Sequence, residues 1–221
     1  MNEKTRAQIE AMKNQTIGVE VEMNNITREK AAKKAAEFFG TRRYEYTAGR
    51  NGYYTWSAWD AQGREWKFQR DVSIEGPDSE KCEMVTPVLT YGDIEMLQKL
   101  VRLLRKAGAK SSPSRGCGVH IHIGKGNHTP QSIRNLVNIM AAHETQIGRA
   151  IRLDQGRQRQ YCRTVDQRFL EQLNRRKPRT MSQLADIWYE SQGQGWSTHD
   201  HYDGSRHPLL KPHATFTQGN T

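Results

Sequence analysis

Two short runs in this sequence carry paired groups with the chemistry to hold a cation. Residues 18–22 read GVEVE and residues 116–124 read GCGVHIHIG. On a β-strand, residues two apart share a face. Glu20 and Glu22 then project together, as do His120 and His122, while the intervening valines and isoleucines point the other way, where we expect them buried. Same-face neighbours lie about 6.5–7 Å apart. Two carboxylates that close repel unless something cationic lies between or beside them, and hard cations such as Mg²⁺ take oxygen ligands of this kind. Two imidazoles at i and i+2 point to a shared ligand or substrate. Glu83, in CEMV, is a third carboxylate on an expected strand, and RDVSIEG just before it adds Asp71 and Glu75. Taken singly, GVEVE is also the pattern of a solvated alternating strand, and a lone strand glutamate says little. Cys117, between two glycines, reads as a small buried residue rather than a nucleophile.

HxH pairs also occur in cupin-like metal sites and in zinc hydrolases. A cupin would want a glutamate a few residues downstream, where Lys125 and Gly126 stand. Zinc hydrolases with HxH commonly sit on barrels larger than this chain of 221 residues.

The elements that must position these groups follow from periodicity. Residues 16–23 alternate as a strand. Thr27 caps an alanine-rich helix that Gly40 stops, and 41–52 read as a loop. YYTWSAWD and REWKFQRD form a hairpin about Ala61-Gln62-Gly63, whose tryptophans Trp56, Trp59 and Trp66 suit a core or a shallow wall. CEMVTP is a short strand stopped by Pro87. Asp93–Ala107 has helical spacing, 118–124 is the histidine strand, and Thr129-Pro130 opens a long helix to about Ile151. The order β-α-β-β-β-α-β-α implies an α+β fold, a largely antiparallel sheet with helices on one face and the other face free for chemistry. We expect one domain over 1–221: a sheet core over 16–151, then an Arg-rich helical segment and a His/Gly/Pro-rich tail over 152–221.

Net charge is +10. Between Arg149 and Arg179, ten cations stand against Asp154, Asp166 and Glu171. Such a patch favours anionic partners, or is simply a solvated helical surface. The three cysteines form neither a disulfide framework nor a CxxC pair. The N-terminus has no apolar core of a signal peptide, and no apolar stretch approaches membrane-spanning length. The expectation is a reduced, cytoplasmic protein with no membrane partner.

The ordered set GVEVE (18–22), DVSI (71–74), EMVTPVLTYGDI (83–94), LRKAGAK (104–110) and GCGVHIHIG (116–124), with RQYCRT (159–164), resembles the amidoligase family. That family shares the glutamine synthetase and glutamate–cysteine ligase fold. The resemblance covers roughly residues 16 to 165 and implies ATP-dependent joining of a carboxylate to an amine through an acyl phosphate, with ATP and Mg²⁺ (or Mn²⁺) as cofactors. Carried over, Glu20, Glu22 and Glu83 are catalytic metal ligands, His120 ligands a metal, and His122 lies nearer the nucleotide. Arg115, Lys125 and Arg206 flank the motifs as candidates for phosphate or carboxylate contacts, as does Arg70. Relatives often have glycine where Val72 stands. The family closes its site with a Glu-Phe-Arg strand, and SRHPLLKPHATFTQGNT reads as the approach to it. A chain stopping there is expected to lack a metal-binding glutamate and a phosphate-binding arginine, and so to be catalytically impaired. Two other classes stay open: a basic nucleic-acid-binding protein using 149–179, which leaves the strand glutamates unexplained because carboxylates repel phosphate, and a metal-dependent hydrolase.

Overall fold

The computed structural model describes residues 1–48, 52–191 and 209–217. They form two compact units, Met1–Gly124 and Lys125–Thr221.

The first unit is an α+β layer. Its six strands are β1 (Ile17–Met23), β2 (Tyr44–Ala48), β3 (Thr55–Trp59), β4 (Glu65–Gln69), β5 (Cys82–Val85) and β6 (Val119–Ile123). They lie in the order β2-β3-β4-β5-β1-β6, and every pairing is antiparallel. Its helices are α1 (Glu3–Lys13), α2 (Arg28–Phe39) and α3 (Ile94–Lys106).

Alternation assigns the two faces. Val19, Val21, Met23, Trp66, Phe68, Cys82 and Met84 are buried in one core with four alanines of α2 and Leu97, Leu100 and Leu104 of α3. Ala31, Ala32, Ala35 and Ala36 are fully buried; their small side chains let α2 lie close to the sheet, where longer ones would force it away. The helix begins where Thr27 accepts from the Lys30 N–H at 3.2 Å and ends at Gly40, whose φ of 76° suits glycine. The groups between the buried ones, Glu20, Glu22, Gln69, Glu83, His120 and His122, belong to the opposite face.

Asp60 closes the β3–β4 hairpin from inside. Its Oδ1 accepts the N–H groups of Gln62 and Arg64, both at 3.0 Å, and its Oδ2 accepts Arg64 Nε at 2.8 Å and Trp66 Nε1 at 3.1 Å. Arg64 reaches on to Asp93 at 2.9 Å, at the start of α3. Burial pushes the Asp60 carboxyl up, but the donors from Trp66 and Arg64 outweigh it and hold the group below its ordinary value.

Three elements differ from expectation. The segment read as a loop over 41–52 contains β2, paired to β3 with Tyr46 opposite Trp56. Tyr44 and Tyr46 stack on Trp56 at 6.0 and 5.7 Å, and such cross-strand aromatic pairs are what hold an edge strand. Helix α1 was not expected. It has no buried residues, and its start is fixed locally by Asn2, which accepts from the Thr5 N–H at 2.8 Å. On β6, Val119, Ile121 and Ile123 do point away from the histidines, yet they are exposed, because β6 is an edge strand and α2 packs on β2, β3 and β4.

The second unit has its own helical core. It comprises α4 (Pro130–Ala150), α5 (Gln155–Gln160), α6 (Gln167–Arg176), α7 (Met181–Ser191) and α8 (His213–Thr217). Ile133 and Val137 of α4 pack with Phe169 and Leu173 of α6 and Leu184, Ile187 and Trp188 of α7. Phe169 meets Trp188 edge-on at 4.8 Å. No helix of the described residues is long and apolar enough to cross a membrane.

Asp60→Ala removes four accepted hydrogen bonds and leaves the buried Trp66 Nε1–H without its partner. It should destabilise the first unit by about 2–4 kcal/mol, read as a lower urea midpoint at pH 7. Because the folded value lies below the unfolded one, the Asp60 contribution is present above about pH 4 and lost as pH falls through the folded value. Wild type and variant should therefore converge in acid, and equal midpoints at pH 7 would contradict this account.

Candidate active site

Strand β1 lies between β5 and β6, so its one polar face meets groups from both neighbours. Glu22 stands opposite Glu83 on β5; Glu20 stands opposite His120 and Gly18 opposite His122 on β6. Directly opposed side chains have Cβ atoms about 4.5–5.5 Å apart, so the antiparallel register alone gathers all five groups. The imidazole of His120 spans both glutamates, with Nδ1 3.5 Å from Glu20 Oε2 and Nε2 3.5 Å from Glu22 Oε1. His122 Nε2 lies 3.3 Å from Glu20 Oε1. Glu22 and Glu83 are buried, whereas Glu20 and the histidines are half-buried.

Neighbouring donors aim the buried carboxylates. The Gly118 N–H donates to Glu22 Oε2 at 2.6 Å, and Gln69 Nε2 donates to Glu83 Oε2 at 2.8 Å. Thr86, in the Thr-Pro after β5, accepts the Val19 N–H through its hydroxyl at 2.9 Å and fixes β5 against β1. The glycine flanks of the histidine strand have a steric cause. Gly116 has φ 75°, and a Cβ there would lie 2.5 Å from the Ser73 carbonyl oxygen. At Gly124 a Cβ would strike Thr16. The close approach at Gly116 brings in the loop after β4, which is also tied by the Glu75 N–H donating to the Arg115 carbonyl at 2.9 Å.

That loop carries a residue outside the expected ligand set. Asp71, its Oδ1 accepting the Ser73 N–H at 2.7 Å, joins Glu22 and Glu83 so that one oxygen from each lies within 4.8 Å of the others. An octahedral Mg²⁺ with oxygens at about 2.1 Å spaces its ligands at roughly 3–4 Å. Three carboxylates at this separation fit such an ion with a small closure of the side chains. Burial, followed by the negative charges of Glu20, Asp71 and Glu22 against the offsetting Gln69 hydrogen bond, pushes Glu83 up to about 7. Near neutrality the cluster therefore holds a proton where a cation would otherwise balance the charge.

The chain matches the family model described as "Putative amidoligase enzyme" over residues 13–221. It belongs to the amidoligase family. Its coarse class is accordingly that of a ligase enzyme. Among curated proteins and among solved structures, nothing matches the chain.

Of the residues singled out in this amidoligase sequence, Glu20, Glu22, Glu83, His120 and His122 come together on one face. Arg115 is exposed in the short turn before β6, and no hydrogen bond or ion pair joins its side chain to the carboxylates among the described residues. Lys125 opens the second unit. Arg206 and most of the tail lie outside the described residues. Asp71 and Gln69 are the additions. Gln69 was legible as the same-face residue of REWKFQ, two residues before Asp71, although nothing in the alternation said which glutamate it would meet.

A carboxyl raised to about 7 in the fold and near 4.3 unfolded binds more protons when folded in the interval between. Stability contributed by this group is full below about pH 4.5 and falls as pH rises toward 7. Glu83→Gln should remove that slope and, in EDTA at pH 8, stabilise the first unit by on the order of 1–3 kcal/mol. Urea midpoints for both proteins from pH 5 to 8 test this. Parallel profiles would place the proton elsewhere.

Proposed function

We propose that this chain is an ATP-dependent carboxylate–amine ligase whose metal centre is the carboxylate cluster of β1, β5 and the loop after β4. The observation that carries the reading is the convergence of Glu22, Asp71 and Glu83 on the sheet face opposite α2 and α3, in a chain of the amidoligase family. The glutamine synthetase-like fold implied by the sequence is part of this proposal, supported by an antiparallel sheet whose glutamate strands are neighbours.

Three acidic groups repel an acidic substrate. ATP and a carboxylate are both anionic, so a site that joins them needs positive charge. Bound Mg²⁺ or Mn²⁺ would supply it, offsetting charge on the transferring phosphoryl group. Glu22, Asp71 and Glu83 would hold the ion. Glu20 and His120, in contact with Glu22 through the imidazole, would complete or border its ligand shell. The remaining chemistry needs no protein nucleophile. A substrate carboxylate oxygen attacks the γ-phosphorus and ADP leaves, giving an acyl phosphate. An amine then attacks the acyl carbon, phosphate leaves, and the amine loses a proton.

The chain's own residues orient and exclude. Gln69 and the Gly118 N–H fix which carboxylate oxygens face inward, which limits reorganisation during charge transfer. His122, one register step along β6 from His120 and held against Glu20, is assigned to the nucleotide side. Arg115, Lys125 and Arg206 are the cations proposed for phosphate or substrate carboxylate.

Titrating Mn²⁺ into the full chain, with and without ATP, tests the assignment. Asp71→Asn and Glu83→Gln should each weaken Mn²⁺ by tenfold or more, because an anionic carboxylate ligand is replaced by a neutral amide. His122→Ala should leave Mn²⁺ affinity within about twofold and weaken ATP. Wild-type ATP affinity should collapse in EDTA. Equal metal and nucleotide affinities across wild type and these variants would reject the centre, and tight ATP binding without metal would reject the metal-bridged reading.

A further inference from the structure

The second unit contains a cleft of about 530 Å³ lined by Arg168, Gln172, Arg175 and Arg176 of α6 and by Glu190 and Ser191 at the end of α7. Helix geometry explains the gathering of charge. Positions 168, 172, 175 and 176 share one face of α6, while Phe169 and Leu173 on the other side are sunk in the helical core against Trp188. The helix cannot turn its arginines elsewhere without exposing that core.

The three guanidinium groups are not equivalent. Arg176 is ion-paired with Glu190. Arg175 donates to Gln172 Oε1 at 2.8 Å, which uses one of its five N–H groups and leaves the Gln172 amide NH₂ as a donor. Arg168 forms no ion pair with any described residue. Among the described lining residues, three positive side chains against one carboxylate leave an excess of two charges. Ser191 is buried and spends its hydroxyl proton on the Trp188 carbonyl at 2.8 Å, so it is wall rather than donor. Arg168 and Arg175 are seven residues apart, or about 10 Å along the helix axis. A cleft of this volume and spacing is larger than one phosphate requires.

We propose that the α6–α7 cleft binds an elongated oxyanion of at least two negative charges, either a phosphate chain or a short run of carboxylates, with Arg168 and Arg175 engaging its two ends. Guanidinium forks take phosphate and carboxylate oxygens in the same bidentate way, so the chemistry is shared by both sources. Gln172 adds a neutral donor between the two charges. The site is a property of the second unit alone and does not rest on the ligase reading.

Calorimetry on the full chain tests it, in 0.15 M KCl with EDTA so that metal-bridged binding at the carboxylate cluster is suppressed. Inorganic tripolyphosphate and the peptide triglutamate are titrated separately. At least one should bind with Kd below about 100 µM, and the stronger arm identifies phosphate or carboxylate as the source. The double variant Arg168→Gln/Arg175→Gln should lose tenfold or more in affinity. A control, Arg149→Gln/Arg179→Gln, makes the same charge change on exposed arginines of the same unit and should lose less than twofold. Thermal melts establish that both double variants are folded. The variant Glu83→Gln should bind the anion as wild type does, which separates this site from the first unit's cluster. Absence of binding by either probe, or equal losses in the two double variants, would overturn the proposal in favour of diffuse surface charge.

Discussion

Glu22 and Glu83 face each other across the β1–β5 ladder, both buried, and their charges repel. Like charges directly opposite on a sheet are destabilising, and Asp71 and Glu20 add to the same field. The fold answers in two ways. It supplies donors, the Gly118 N–H to Glu22 and the Gln69 amide to Glu83, and it leaves a proton on Glu83 up to about pH 7. Neither neutralises the cluster. The arrangement is therefore costly in the absence of a cation, and the cost is borne by the other face of the same strands. Val19, Val21, Met23 and Met84 pack there with Trp66, Phe68 and the alanines of α2. An alternating strand makes this division possible, because Glu20, Glu22 and Glu83 are each adjacent in sequence to residues that stabilise the core.

The need to hold three carboxylates still also accounts for features that look decorative in the sequence. Gly116 lets the histidine strand's turn meet the Ser73 carbonyl with no Cβ in the way. The contact positions the loop that carries Asp71. Thr86 closes the end of β5 onto β1 through the Val19 N–H. In each case a small residue or a hydroxyl holds a segment that carries a charged group of the cluster.

Much of this was legible in the chain. Alternation in GVEVE and VHIHI fixed which groups share a face, and the caps Thr27 and Gly40 marked the ends of α2 where the structure has them. What escaped did so for physical reasons. Asp71 lies just beyond the end of β4, where the two-residue period no longer dictates direction, so its place beside Glu22 and Glu83 depends on a turn set by tertiary contact. Strand β2 carries only partly buried or exposed residues. It owes its existence to Trp56 on its neighbour, which no local pattern announces. The valines and isoleucines of β6 have the pattern of a buried face, but burial is a property of what lies across the strand, and α2 packs over the far end of the sheet.

The topology joins the site to the stability of the first unit as a whole. Its strands come from residues 17–23, 82–85 and 119–123, and β5 and β6 become neighbours of β1 only when α3 and the β3–β4 hairpin have been folded in. No short segment of the chain contains the cluster, so the unfolded state has nothing resembling it. A cation held by Glu22, Asp71 and Glu83 would then bind the folded unit alone, adding about 2.7 kcal/mol at a hundredfold excess over its Kd. That is comparable to the penalty of ionising a buried carboxylate such as Glu83. If the cluster holds a divalent ion as proposed, the charges that repel one another in the folded first unit would favour that ion, and the cluster's affinity and the unit's stability would be two readings of a single balance.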